Sequence, residues 1–300
     1  MRYRLLTLDL DGTVTSDDLR IRPAVREAVR RARAVGVAVT LATGRGFESA
    51  LPFARRLGIT RPLICYQGGL IKSPVDGTVL HEATFSRALA HELIAWITVR
   101  GQQPFHLPSG SHGAGEAPND WSFEPGKIEV AMFLDRAMYL ERLEQGIEFY
   151  HRYFGEQMRQ VADLPASLHM APTKSMLIAH PATCDEILPE LKAAFAGRLQ
   201  IVRSHPLFVE AVPPGVSKGQ GLARLAAHLG IPQAATIAVG DNENDLAMIE
   251  WAGLGVAMGN ATPEVKAAAD WIAPAVAEDG VAAVVERFIL GSDGHVDHSC

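Results

Sequence analysis

The chain has 300 residues, of which 48% are hydrophobic and 21% charged, and its formal charge is −6. That length and balance supply cores for two domains and exclude a disordered chain, while the negative charge argues against nucleic acid or an anionic membrane as the main partner. Cys65, Cys184 and Cys300 show no pairing motif, the N-terminus reads straight into a strand with no signal peptide, and no apolar run reaches a membrane span, so a cytoplasmic protein is expected.

The first apolar run, Leu5, Leu6, Leu8 and Leu10 around Thr7, reads as a strand of a parallel sheet covered on both faces. It leads into Asp9-Leu10-Asp11-Gly12-Thr13. Side chains two apart on a strand point the same way, so Asp9 and Asp11 face one centre at the strand's carboxyl end, where open α/β sheets take their ligands. Pro23 opens a helix with Val25, Ala28, Val29 and Ala32 at helical spacing, and Gly36 stops it. A second buried strand over 37–42 delivers Thr43-Gly44-Arg45 at its end. A helix over 47–57, a third strand over 62–66 and a hairpin of 70–73 with 78–80 follow.

The spacing of Leu89, Leu93, Trp96 and Ile97 predicts an amphipathic helix over 86–100, which begins an inserted unit. That unit continues with a strand over 127–134, a long helix over 137–154, strands near 168–170 and 174–179, a helix over 183–195, and strands over 200–204 and 208–212. The Gly/Pro/Ser-rich stretch 102–126, which carries Trp121, is too long for an ordinary connection and reads as a lid edge or, by preference, a disordered loop. From Pro213 the earlier alternation resumes. A helix over 217–229 carries Lys218 in its first turn, and a strand over 236–239 runs into Gly240-Asp241-Asn242-Glu243-Asn244-Asp245. A helix over 245–251, a strand over 254–258 and a helix, short strand and helix within 264–289 complete it. The fold expected is α/β: a Rossmann-like parallel-sheet core from 1–83 and 213–290, an inserted α+β cap over 84–212, and a flexible tail over 291–300.

The Asp9 segment, Thr43-Gly44-Arg45, Lys218 within Gly215-Val216-Ser217-Lys218-Gly219, and the Gly240 to Asp245 segment fall in order at strand ends or helix starts. Together they resemble the haloacid dehalogenase-like hydrolase superfamily, and the late signature resembles its Cof-type sugar-phosphatase branch. The resemblance spans nearly the whole chain and is strongest over 1–82 and 208–288. One departure is Gln67-Gly68-Gly69, where the family usually has Asn-Gly-Ala, so no contact of that Asn is carried over.

The resemblance implies a phosphatase acting on a small phosphorylated metabolite, a sugar phosphate first, with the cap selecting the leaving group. Asp9 is then the nucleophile that forms an aspartyl phosphate, and Asp11 the general acid and base. Thr43, Gly44, Arg45, Lys218 and Asn244 are expected to hold the phosphate, with Asp245 behind them. A carboxylate meeting a phosphate dianion at ~4 Å is opposed by roughly 8 kcal/mol at an effective dielectric of 20, so cations must offset it. Hard oxygen donors favour Mg²⁺; the resemblance implies Asp9 and Asp241 side chains and the Asp11 carbonyl as its ligands. A phosphosugar mutase of the phosphomannomutase type, with a similar core and cap, is the alternative, and a phosphate-sensing binder a third reading. Lys127, Arg136, Lys174 and Arg203 are candidates for reading the leaving group by charge alone. The histidines read as surface or packed residues, and oligomeric state is unmarked.

Overall fold

A computed structural model describes residues 2–16, 18–105, 123–155 and 157–291. Most of the 102–126 stretch with Trp121, and all of the tail but Gly291, lie outside the described residues. The chain opens with β1 (Leu5–Leu8), α1 (Pro23–Ala34), β2 (Ala38–Leu41), α2 (Phe47–Arg56), β3 (Leu63–Cys65), β4 (Leu70–Lys72) and β5 (Val79–Glu82). Then come α3 (Arg87–Gly101), β6 (Ile128–Leu134), β7 (Ala137–Leu140), α4 (Ile147–Phe154), β8 (Met158–Gln160), β9 (Lys174–Ala179), α5 (Pro181–Ala194), β10 (Gln200–His205) and β11 (Phe208–Val212). It closes with α6 (Lys218–His228), β12 (Thr236–Gly240), α7 (Leu246–Trp251), β13 (Leu254–Ala257), α8 (Pro263–Ala268), β14 (Trp271–Ile272) and α9 (Gly280–Phe288).

The central sheet is wholly parallel, in the order β14-β13-β12-β1-β2. Its strands alternate between two covered faces. Leu6 and Leu8 of β1 pack with Val25 and Val29 of α1 and Val281, Val284 and Val285 of α9, whereas Leu5 packs with Leu222 and Leu225 of α6 and Met248 of α7. Each fully buried leucine contributes about 1.5–3 kcal/mol, which is why an unbroken apolar run is needed where both faces are closed. A parallel bridge from Ala42 to Ile64 hands the sheet on to the antiparallel trio β3-β4-β5. From β1 the chain moves outward to β2 on one side, while β12 lies on the other, so the direction of winding changes between β1 and β12. A crevice opens at their carboxyl ends.

The inserted segment forms a six-stranded sheet, β10-β11-β9-β6-β7-β8, antiparallel except for β7 with β8. One face carries Met132, Leu134, Leu177, Val209 and Ala211 against Leu93 and Ile97 of α3 and Ile187 and Leu191 of α5. The other turns Ala131, Phe133, Met176, Ile178 and Phe208 toward the parallel-sheet part, sharing its hydrophobic cluster.

Two expectations are corrected here. Residues 137–154 are not one helix: 137–140 form β7, and only Ile147–Phe154 is helical. The hairpin joining β6 to β7 turns through Asp135 and Arg136, both at positive φ (50° and 60°), a conformation that usually announces itself with Gly or Asn. No strand forms near 168–170, where Leu168 packs its buried side chain from a turn, and β8 pairs with β7 instead. No helix among the described residues is long and apolar enough to cross a membrane.

Candidate active site

Asp9 follows β1 directly and keeps its register, its N–H donating to the Val239 carbonyl at 2.9 Å. Its Oδ1 accepts from Lys218 Nζ at 2.6 Å, and the same ammonium donates to Asp245 Oδ1 at 2.6 Å. Lys218 is placed by the first turn of α6, whose cap Ser217 accepts from the Gln220 N–H at 3.1 Å. Asp245 in turn accepts through Oδ2 from the N–H groups of Asp241 (2.9 Å) and Asn242 (3.1 Å). Carboxylate oxygens of Asp9, Asp241 and Asp245 lie within 4.8 Å of one another.

One ammonium therefore serves a crowd of carboxylates. Burial pushes Asp9 well above the usual carboxylate range, Lys218 opposes this, and Asp245, Asp241 and Asp11 push it further. Burial, reinforced by Asp245, raises Asp241 to about 7. Burial alone would lower Lys218, but Asp245 and Asp9 hold it above the ordinary lysine value. Thr13 donates to Asp241 Oδ1 at 3.2 Å. Gly12 sits at φ 88°, and a Cβ there would collide with the Asp241 carboxylate, so the two strand ends approach as closely as they do because this residue is glycine.

Asp11 lines the same cavity, but its carboxylate is held by Arg45, with Nε to Oδ2 and Nη2 to Oδ1 both at 2.7 Å. Burial would raise Asp11, but the guanidinium's charge and hydrogen bonds hold it below the usual range. The remaining arm of Arg45 donates to Ser49 Oγ (3.3 Å) and to the carbonyls of Arg152 and Tyr153 in α4 (both 3.1 Å). The structure thus places Arg45 on Asp11 and on the inserted segment. Thr43 Oγ1 accepts from the Arg45 N–H at 3.1 Å, and Gly44 offers its carbonyl to Lys174 Nζ at 2.8 Å. Asn244 donates to Gln67 Oε1 at 3.1 Å, while Gln67 Nε2 and Asn244 Oδ1 are buried without a partner. Gln67 itself adopts φ 59°.

Asp9, Asp11, Thr43, Gly44, Arg45, Asp241 and Asn244 share a cavity of about 520 Å³, and Lys218 and Asp245 stand behind Asp9. Of the four cations singled out by charge, Lys174 lines this cavity. Lys127 pairs with Glu124 and Arg203 with Asp185, and the Arg136 backbone forms the β6–β7 turn. Sequence reasoning passed over Glu210 and His205. Glu210 pairs with Lys174 at 3.0 Å with both side chains buried, and it accepts from Ser204 Oγ. His205 lies over Phe208, and burial lowers it to about 4. A charged residue inside an otherwise apolar strand, as in Phe208-Val209-Glu210-Ala211-Val212, was the available signal.

A buried carboxylate at the end of the first strand, a lysine from a helix start and an acidic loop after a later parallel strand meet in one site, and comparison with known proteins shows the family. Residues 6–285 match the family described as haloacid dehalogenase-like hydrolase, and the chain belongs to it. The stress response protein YhaX of Bacillus subtilis is 30% identical over 294 residues, covering 96% of this chain and 94% of that protein. The 5-amino-6-(5-phospho-D-ribitylamino)uracil phosphatase YcsE of the same organism is 28% identical over 290 residues, covering 96% of each. The crystal structure of a haloacid dehalogenase-like hydrolase from Bacteroides thetaiotaomicron superposes with a TM-score of 0.77 at 27% identity, covering 95% of this chain and 99% of that one. The α/β fold with its Rossmann-like core is thus that of this family, and phosphatase-named relatives accord with a phosphoric monoester hydrolase.

Proposed function

We propose that the protein is a Mg²⁺-dependent phosphatase that hydrolyses a small phosphorylated metabolite through an aspartyl phosphate on Asp9. The observation that carries this reading is the chain of ion pairs from Asp9 to Lys218 to Asp245, set beside Asp241 at the open ends of β1 and β12. Asp9 attacks phosphorus, and the bond to the leaving oxygen breaks. Arg45 keeps Asp11 ionised beside Asp9 with a two-pronged grip. Asp11 must leave that grip and take a proton from solvent before it gives the leaving oxygen its proton, and it then takes one from the water that cleaves the acyl phosphate. Thr43, Gly44 and Asn244 line the space the phosphoryl oxygens would occupy, and Lys218 keeps a fixed positive charge at Asp9.

The donor set fits a hard divalent cation, since all three clustered ligands are carboxylates. Asp245 is committed to Lys218 and two backbone N–H groups, so Asp9 and Asp241 would hold the ion, with the Asp11 carbonyl as the third protein ligand. When bound, it supplies positive charge against the phosphoryl oxygens.

In this reading 84–212 is a cap over a core of 1–83 and 213–290. A sugar phosphate, or a metabolite with a phosphorylated sugar-like arm, is the substrate class, and YcsE, named for a phosphorylated ribityl compound, supports it. A mutase is not favoured, because full-length relatives carry phosphatase names. A cytoplasmic setting belongs to the proposal; Cys65 and Cys184 are free buried thiols, as a reducing compartment leaves them. Acetyl phosphate hydrolysis, followed as released phosphate, should stop with EDTA and return with excess Mg²⁺. Activity that survives chelation would refute the metal requirement, and stimulation by a hexose bisphosphate would revive the mutase.

A further inference from the structure

Lys174 opens β9 and Glu210 lies on the neighbouring β11, both on the face of the inserted sheet that is turned toward the parallel-sheet part. Their side chains are 1% and 2% exposed, so little of either is open to a ligand, and Lys174 Nζ lies 3.0 Å from Glu210 Oε2. A buried ion pair is weak support for a fold, because apolar residues of like size do as well without desolvating two charges. The contacts of this pair cross to the parallel-sheet part instead. Nζ donates to the Gly44 carbonyl at 2.8 Å. Glu210 accepts from Ser204 Oγ, and the Ser204 carbonyl accepts from Asn242 Nδ2 at 3.4 Å. One pair thus reaches the loop after β2 and, through Ser204, the loop after β12.

The Gly44 carbonyl shares a planar peptide unit with the Arg45 N–H, and in a trans unit the two point opposite ways. That N–H donates to Thr43 Oγ1 at 3.1 Å. A cation held on the carbonyl fixes the plane and polarises the amide, so the N–H donates more strongly to the hydroxyl. One lone pair of Thr43 Oγ1 is then taken, while its proton meets no acceptor among the described residues. Thr43 lines the cavity, where a phosphoryl oxygen is such an acceptor. The approach is close because Gly44 has no side chain: a Cβ there would stand 2.5 Å from Gln67 Nε2 and 3.0 Å from Glu210 Oε1.

We propose that Lys174 and Glu210 are positioning residues for phosphoryl transfer, which set the 44–45 peptide from the inserted segment so that the Thr43 hydroxyl donates to a phosphoryl oxygen. The inference rests on the phosphatase reading above and assigns the pair to the reacting phosphate rather than to the leaving group. The phosphate site is then complete only while the inserted segment is seated on Gly44.

The test is a double-mutant cycle on the hydrolysis of acetyl phosphate. Lys174→Met combined with Glu210→Met removes both charges at once, so neither is left buried alone. It should lower kcat/KM roughly tenfold or more, since a hydrogen bond to a charged group is at stake. In a Thr43→Ala background the same two substitutions should cost less than about twofold, because no hydroxyl remains to be positioned. Equal factors in the two backgrounds would overturn the inference, since a pair that only holds the fold acts alike with or without the hydroxyl. A loss confined to glucose 6-phosphate, with acetyl phosphate untouched, would also overturn it and make the pair a reader of the leaving group. If circular dichroism shows that the Met pair does not fold, Lys174→Met with Glu210→Gln, which retains an acceptor for Ser204, takes its place in the cycle. Should the wild-type protein not turn over acetyl phosphate, the phosphatase reading fails by itself, and the same cycle on affinity for inorganic phosphate, by calorimetric titration, decides the inference. A loss of affinity that vanishes with Thr43→Ala sustains it; equal losses, or no phosphate binding, overturn it.

Discussion

The parallel sheet and the inserted six-stranded sheet furnish one cavity in opposite chemical terms. The parallel-sheet part delivers charge from strand ends and a helix start: Asp9 and Asp11 after β1, Lys218 at the start of α6, Asp241 and Asp245 after β12. The inserted segment delivers surfaces, with Lys174, Met176, Phe208 and Glu210 on one face of β9 and β11, and Tyr153 and Phe154 on α4. Groups at strand ends are set by short runs of consecutive residues and can be recognised as such. Groups spread across a strand face are set only by alternation, which any half-buried strand shows. On the proposed function, the contrast separates reaction from recognition within one cavity.

The largest test of that separation strikes the charge-bearing half. Asp9→Asn should lower kcat for acetyl phosphate by at least ~10³-fold, since it removes one member of a group that acts as a unit. Circular dichroism should show a folded protein, and turnover near wild type would take the nucleophile's role from Asp9. Arg45→Lys strikes the seam between the halves. It keeps the charge but loses the fork on Asp11 and the contact with α4 carbonyls. Charged hydrogen bonds are worth about 1.5–3 kcal/mol, so kcat should fall roughly ten- to a hundredfold. Because Arg45 lowers Asp11, its loss should also move any Asp11 limb of the pH–rate profile to higher pH. An unmoved limb with full activity would mean that the pair plays no part in turnover.

The smallest effect is expected on the recognition side. His205 is held near 4 by burial, against 6.5 when free, so the unfolded chain binds its proton first as pH falls. The folded state is undiminished above pH 6.5 and loses stability progressively from there down to about pH 4. His205→Gln should therefore show a shallower fall in Tm across that window, read by scanning calorimetry. An identical slope would show that the ring exchanges protons as freely as in solvent.

Much of the parallel sheet was legible because its strands are closed on both faces and its helices start and stop on recognisable residues, such as Pro23 and Ser217. The β6–β7 hairpin was not, because Asp135 and Arg136 take left-handed backbone without glycine, and the apolar residues after them also fit a helical period. Within the site, the order of the motifs foretold that Asp9, Lys218 and Asp245 would meet. The grip of Arg45 on Asp11 was hidden, since a side chain long enough to reach either phosphate or carboxylate leaves no mark of its choice. Lys174 and Glu210 stand 36 positions apart on neighbouring strands, and only the register that pairs Glu210 with Met176 reveals them as partners.

The threading of β1 between β2 and β12 also dictates when the protein becomes an enzyme. Leu5 has Ala38 on one side, available early, and Thr236 on the other, so half of the first strand's ladder waits for the last third of the chain. Asp9 and Lys218 are separated by 209 positions. During synthesis the strands from Ile128 to Val212 can close their own sheet while β1 remains half-paired. Long-range parallel pairing is slow, and it leaves an apolar edge exposed until it is complete. A chain that ends before residue 236 therefore lacks β12 and the Asp241 and Asp245 that follow it, and the phosphoryl chemistry proposed above has to wait for the final strands.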